Sequence, residues 1–468
     1  MKKTRREIDA LGPVEVPIDS YGGSFTARAV ANFQISSLRA PFSFKAGLAF
    51  VKMAAAEVNA DLGHLPKKHA KAIVQAAEEF IDGNFDADFD LDVYQAGAGT
   101  PYNMNLNEIL ANRANEILGG KKGTYSPVHP NNHVNMAQSS NDVIPTAIRL
   151  AALMDLAPVF QCGEDLVESL EKKAVQFEEI VKVGRTHLQE AVPVTLGQEF
   201  QAYADSLRRC LERLGTAAME LADLGIGATA VGTGINTHPQ FAKKMCENLS
   251  KRLGLRLRRM NPFESNHSMA SFLAVSAALR GFSTELLRIC NDLRLMAGPL
   301  QEIQLPEVEP GSSIMPGKLN PSVLECMSMI CVQVFAMDHA VAVSAQQGQL
   351  ELNWYTPLIM LDLLHAQEIL GNGLYMLRTE CVDGIEANRE QMQTVLENSV
   401  AVATALAPVL GYHEVAELVK ESKKKKVPFV SVVPAQYKKY LNAAQLTQPN
   451  RKVHLFPKFG DLKGKILA

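Results

Sequence analysis

Apolar residues recur along much of this chain at alternating steps of three and four. Leu156, Phe160, Gly163, Val167, Leu170, Ala174, Phe177 and Val181 make one such stripe, and Leu196, Phe200, Tyr203, Leu207, Cys210, Leu214, Ala217 and Leu221 make another. A helix turns once in about 3.6 residues, so this spacing lays a single apolar seam along its length. The same period predicts helices over 46–62 and 67–80, and longer ones over 268–295, Ser322–Ala345 and 356–381. Helices this long cannot bury their seams against one small domain, which predicts bundling between subunits.

The texture divides the chain into three. Residues 1–140 are mixed and mostly helical, with Gly- and Asn-rich interruptions; 141–395 carry the long helices; 396–468 form a small C-terminal region. The fold class is mainly α. In the last region Ser422-Lys423-Lys424-Lys425-Lys426 precedes Val427-Pro428, a pattern expected of a solvated helix end whose lysines sit near the negative end of the dipole.

Composition narrows the partners. With 47 Lys+Arg against 50 Asp+Glu the formal net charge is −3, and no basic stretch carries interleaved aromatics, so no nucleic-acid partner is expected. No uninterrupted apolar run reaches membrane-spanning length, and Met1–Glu7 lacks the apolar stretch of a signal peptide. Seven scattered cysteines, never in a Cys-x-x-Cys pair, read as small buried hydrophobes in a reducing compartment. The expected location is cytoplasmic, with no membrane partner.

The most informative segment is Gly311-Ser312-Ser313-Ile314-Met315-Pro316-Gly317-Lys318-Leu319-Asn320-Pro321. Its glycines predict a mobile loop with positive φ. Lys318 supplies a compact charge and Asn320 an amide, a pairing suited to a small carboxylate. Gly97–Asn105 allows close backbone approach, with Thr100 and Asn103 as donors. Ser139, Ser140 and Asn141 precede a helical pattern, where hydroxyls and free N–H groups make a carboxylate site. His187, in Gly184-Arg185-Thr186-His187-Leu188-Gln189, lies between the two striped segments, and Glu325 is placed to orient and charge such an imidazole. No Gly-x-Ser-x-Gly elbow, His-Glu-x-x-His motif or dinucleotide fingerprint is present. That inventory fits proton chemistry on a small dicarboxylate, with no cofactor and no metal.

The loop Gly311–Pro321 resembles the signature of the aspartase/fumarase superfamily. The resemblance continues in order through Gly99-Thr100, Asn103-Met104-Asn105, Gln138–Asp142, Gly184–Gln189, Thr195–Glu199, Gly232-Thr233-Gly234 and Glu351-Leu352-Asn353, covering about residues 5 to 400. It implies a three-domain helical fold whose central domains form a twenty-helix bundle in a homotetramer, with each active site shared between subunits. It also implies elimination from a four-carbon dicarboxylate to give fumarate through an aci-carboxylate intermediate. On that resemblance Ser312 matches the catalytic base, and Lys318 and Asn320 the binders of carboxylate and intermediate. Thr100, Asn103, Ser139, Ser140, Asn141 and Thr186 match the polar lining, and His187 with Glu325 the histidine and its carboxylate partner. His129 and Asn131 resemble a secondary anion site.

Two leaving groups fit. Ser140, where aspartases usually carry threonine, together with 120–123 and 325–329, is fumarase-like; 95–100, 135–138, 289–295 and 348–353 are aspartase-like. One methyl is worth about 1 kcal/mol, too little to choose ammonia over water. The longer flanking matches therefore favour an aspartate ammonia-lyase, with class II fumarate hydratase as the alternative and an inactive structural homologue as the outlying reading. Residues 296–303 are shorter than the family's usual connection, and the region after His413 drifts from both subfamilies.

Overall fold

In the computed structural model, which describes residues 3–311, 314–315, 317–442 and 446–448, the striped segments are helices. The chain opens with an antiparallel hairpin, β1 (Thr4–Asp9) and β2 (Gly12–Pro17), followed by α1 (Ser24–Asn32), α2 (Phe42–Asp61), α3 (Lys67–Ile81) and α4 (Thr100–Ile117). Next come α5 (Ser140–Gln176), the hairpin β3 (Val181–Thr186) and β4 (Gln189–Thr195), and α6 (Leu196–Ala218). Short strands β5 (Asp223–Leu224) and β6 (Arg258–Arg259) flank α7 (Phe241–Leu253), and α8 (Pro262–His267) leads into α9 (Ala270–Ala297). After β7 (Ile303–Gln304) come α10 (Ser322–Ala345), α11 (Thr356–Glu380), β8 (Glu386–Ala387), α12 (Arg389–Asn398), α13 (Ala407–Leu410) and α14 (Tyr412–Lys425). The helix expected over Ser322–Ala345 has those bounds, and α14 ends in its lysine run with Lys426 left-handed.

Two expectations are corrected. The stripe that ran on to Val181 stops as a helix at Gln176, because Val181 opens β3 and pairs with Thr195. The Gly- and Asn-rich stretch expected as a loop is helical from Thr100 onward. Its asparagines are buried with distant partners: Asn105 donates to Thr26, Asn112 to the Tyr21 carbonyl and Asn115 to the Val128 carbonyl.

The chain forms two compact units. The first comprises Met1–Asp165, Leu207–Cys290 and Glu325–Leu377. Its core is made by α2 packed on α3 and α7, and by the buried faces of α5, α9 and α11, among them Ile148, Phe272, Phe282, Leu363 and Leu370. Glu108 of α4 fixes the start of α1, accepting from the N–H groups of Gly23, Phe25 and Thr26 and from the Thr26 hydroxyl. The second unit comprises Leu166–Ser206, Asn291–Leu324 and Arg378–Ala468. Here Val183 of β3 packs in one cluster with Leu396, Val402, Leu406, Val415 and Phe429, so the C-terminal region builds a core against the β3–β4 hairpin.

Windows within α5 and α10 are as apolar as membrane spans, at a mean hydropathy of 1.6, and they are 67% and 33% buried respectively. The α5 window is core; most of the α10 window faces outward, with Met329 and Val332 exposed.

Gly47 marks where α2 meets α5: a Cβ there would lie 2.6 Å from the Ala147 carbonyl oxygen. Gly47→Ala is therefore expected to lower stability by about 1–3 kcal/mol through overpacking, despite the helix propensity alanine gains. The urea midpoint reads this, and an unchanged midpoint would show that the two helices separate without cost.

Candidate active site

The first turn of α5 is held by a reciprocal cap. The Ser139 hydroxyl accepts from the Asn141 N–H at 3.3 Å, and Asp142 Oδ1 accepts from the Ser139 N–H at 2.9 Å. Asp142 Oδ2 accepts from the N–H groups of Gly227 and Thr229, both at 2.9 Å, and Asn141 donates to the Ala230 carbonyl at 2.7 Å. One buried carboxylate thus ties the glycine-rich turn after β5 to the helix start. Burial pushes Asp142 up to about 6, opposed by those backbone N–H groups and by the Lys52 charge.

Behind this turn lies Lys52, fully buried on α2. Its ammonium donates to Asn103 Oδ1 at 2.6 Å, Gln138 Oε1 at 2.9 Å and Asn135 Oδ1 at 3.1 Å. Burial lowers its pKa to about 7, with Asp142 acting to raise it. Asn103, itself buried, donates to Ser140 Oγ at 3.1 Å. Thr100 begins α4 immediately after Gly99 (φ 67°), where a Cβ would press on Ile144 at 3.1 Å, so glycine lets the two helix starts converge. Thr100, Ser139, Ser140 and Asn141 are half-buried, Thr100 at the start of α4 and the other three at the start of α5.

In the second unit, Thr186 and His187 sit at the tip of the β3–β4 hairpin, and both are exposed. The Thr186–Gln189 pair closes a two-residue turn in which His187 (φ 53°) and Leu188 (φ 57°) are left-handed without glycine. Such a conformation costs roughly 1–2 kcal/mol per residue, and it persists only where the surroundings impose it. What imposes it is the two-residue turn itself, whose antiparallel strands require positive φ at both central residues. The first of those strands also carries a buried charge cluster. Glu302 lies 2.6 Å from both Lys182 and Arg185, and Lys182 reaches Glu199 at 2.8 Å.

Glu302 directly precedes β7, whose segment runs into the signature loop. Gly311 (φ 85°) closes the loop's neck, since a Cβ would lie 2.4 Å from the Lys318 carbonyl oxygen; Gly317 (φ 80°) shapes the turn before Lys318. Lys318 donates to Asn320 Oδ1 at 2.6 Å, so the Asn320 amide nitrogen remains to donate outward. Asn320 also lines a cleft of about 450 Å³ with Arg294, Gln304, Gly311 and Ser322. Ser312 lies outside the described residues. Glu325 is exposed in the first turn of α10, in the first unit.

His129 half-buries its ring and accepts at Nδ1 from the N–H groups of Asn131 and Asn132, at 3.1 and 3.3 Å. Burial lowers its pKa, which favours the neutral ring with Nε2–H as the remaining donor; the Asn131 side chain is exposed.

Sequence reasoning missed Lys52, Asn135, Asp142 and Glu302 as members of these clusters. One signal was present: Lys52 is the only charge between Gly47 and Ala56, a run otherwise of apolar and small residues.

This helical fold with its polar clusters is that of a lyase family. The model of the lyase family matches residues 12–336. A class II fumarate hydratase of Bradyrhizobium diazoefficiens is 45% identical over 426 residues, 89% of each chain, and one of Thermosynechococcus vestitus is 44% identical over 90% of this chain and 91% of its own. A solved class II fumarase from Schistosoma mansoni has a TM-score of 0.92 at 34% identity, covering 96% of this chain and all of that one. A fumarate lyase:delta crystallin structure from Brucella melitensis gives 0.91 at 42% identity, over 96% of this chain and 100% of its own. The chain belongs to the aspartase/fumarase superfamily, in its class II fumarase branch.

The expectation of an aspartate ammonia-lyase is thereby overturned, because relatives 43–45% identical over about nine-tenths of the chain are named class II fumarate hydratases. Several residues of the motifs that favoured the ammonia-lyase serve packing and turns. Gln95 bonds Asp92 and Tyr102, Ile289, Cys290 and Leu293 are core, and Asn353 is buried against the Ser344 and Ala345 carbonyls. Such positions carry no information about the leaving group.

Removing Glu302 would leave Lys182 and Arg185 buried without their shared partner. Glu302→Ala is expected to cost about 3–5 kcal/mol in urea unfolding. A loss below 1 kcal/mol would mean that water or Glu199 takes over.

Proposed function

We propose that this protein is a class II fumarate hydratase, interconverting L-malate with fumarate and water. The observation that carries the reading is the set of named relatives spanning nine-tenths of the chain at 43–45% identity. Ser140, half-buried at this helix start where aspartases usually carry threonine, accords with it.

In the dehydration direction a base removes one proton from the methylene carbon, and the electron pair moves into the adjacent carboxylate to give the aci-carboxylate. That intermediate then reforms a carbon–carbon double bond as hydroxide leaves and takes a proton to become water. We assign the base to Ser312. Lys318 and Asn320 meet the charge on the intermediate, because a fixed ammonium and amide N–H stabilise the extra negative charge most where it develops. Ser139, Ser140, Asn141 and Thr100 hold the other carboxylate at the positive end of α5, with Asn103 supporting Ser140 from behind. Thr186 and His187 contact substrate, with Glu325 as the partner of the histidine. His129 and Asn131 remain a proposed secondary anion site.

We further propose a homotetramer with sites completed between subunits. Met329 and Val332 of α10, Tyr375 of α11 and Val175 of α5 are each more than half exposed in the single chain. Apolar side chains repeated along long helices call for burial against other copies. All seven cysteines are free thiols, which fits the cytoplasm.

Fumarate absorbs in the ultraviolet, so purified protein with L-malate is expected to show rising absorbance, with L-aspartate as the control; no rise with L-malate would overturn the reading. Ser312→Ala is expected to lower kcat by at least about a thousandfold while the melting temperature and dicarboxylate binding hold, since the chemical step loses its base. Lys318→Met is expected to weaken dicarboxylate binding by about tenfold or more, through loss of a charge-assisted contact. Unchanged affinity in calorimetry would remove Lys318 from the carboxylate site.

A further inference from the structure

We propose that Lys52 is a positioning residue that fixes the direction of the Ser140 hydroxyl, turning its proton outward to a substrate carboxylate. The inference deepens the reading above and rests on it, in that Ser140 is taken to face the dicarboxylate.

The argument follows from donors and acceptors. An asparagine side chain presents an oxygen and an NH₂ group of similar shape, and packing alone scarcely distinguishes them. An ammonium has only protons to offer, so whichever end of an amide meets it must be the oxygen. Lys52 meets three: Asn103, Gln138 and Asn135, at 2.6, 2.9 and 3.1 Å. Three protons are matched by three carbonyl oxygens, and all three NH₂ groups are forced away. Gln138 donates to the Val134 and Met136 carbonyls, and Asn135 donates to the Gln138 carbonyl. Asn103 donates to Asn135 Oδ1 at 3.2 Å and to Ser140 Oγ at 3.1 Å.

Ser140 consequently accepts from behind, and its own proton is left to donate forward. A carboxylate only accepts, so this is the polarity a dicarboxylate site needs. The wrong amide direction would place a carbonyl oxygen behind Ser140, which would then donate inward and present a lone pair to the substrate. Lys52 is completely buried and reaches no ligand itself; it acts through Asn103. The three oxygens and the Asp142 carboxylate favour the charged form of Lys52, opposing the effect of burial.

The test is a double-mutant cycle on the intact enzyme. It is read as the dissociation constant of succinate, a dicarboxylate without a leaving group, and as KM and kcat for L-malate. Lys52→Met is expected to weaken succinate by about tenfold in the parent protein, the usual effect of misdirecting one hydrogen bond to a charged group. In a Ser140→Ala background the same substitution is expected to change affinity less than twofold. Asn103→Asp keeps an acceptor for Lys52 but has no N–H for Ser140, so it should reproduce the loss; it also carries the test if Lys52→Met does not fold. For both substitutions KM should rise more than kcat falls. Equal losses in both backgrounds, or an Asn103→Asp protein that binds succinate like the parent, would overturn the proposal. Absence of malate turnover by the unsubstituted protein would refute the assigned reaction, while the succinate cycle would still read the role of Lys52.

Discussion

A buried ammonium must place all three of its protons on acceptors, and around Lys52 that requirement organises much of the first unit. Asn103 arrives from α4, Asn135 and Gln138 from the turn before α5, and Lys52 itself from α2. None of these elements can shift far without leaving a charge unpaired away from water, a loss of several kcal/mol. Asp142 does the converse for negative charge, gathering the N–H groups of Ser139, Gly227 and Thr229. Between the two charges sits the helix start that carries Ser139, Ser140 and Asn141. Its geometry is inherited from buried neighbours.

The second unit uses the same device with different residues. Glu302 holds Lys182 and Arg185 of β3, the strand that ends at Thr186 beside the left-handed turn carrying His187. The strand that follows Glu302 leads toward the signature loop, and the C-terminal cluster around Phe429 packs on Val183 of the same hairpin. The C-terminal region is therefore part of the scaffold under the β3–β4 hairpin.

The leaving group shows how similar motifs mislead. Positions 95–100, 135–138, 289–295 and 348–353 match one subfamily, yet Gln95 braces a turn, Ile289, Cys290 and Leu293 fill the core, and Asn135 and Gln138 bond the buried Lys52. Ser140, with 120–123 and 325–329, matches the other. What decides between them is the set of named relatives, because residues that face the core report on the shared scaffold, however many there are.

By itself the sequence determined the long helices, because a three–four apolar stripe has one physical outcome when it runs for six or more turns; Ser322–Ala345 and the lysine-ended α14 follow from local pattern. It also marked the loop of Lys318 and Asn320, where Gly311 and Gly317 take the left-handed region that other residues avoid. Local pattern failed at 181–195, where the stripe continues through Val181 and no Asn-Gly announces the turn. It failed too at α4, whose buried asparagines read as loop until their distant partners are known. Only tertiary structure decided the clusters that aim the site. Lys52 stands 51, 83 and 86 residues from the three amides it orients, and Glu302 stands 117 from Arg185. A hydrogen bond depends on ångströms and angles in space, and no spacing along the chain records those.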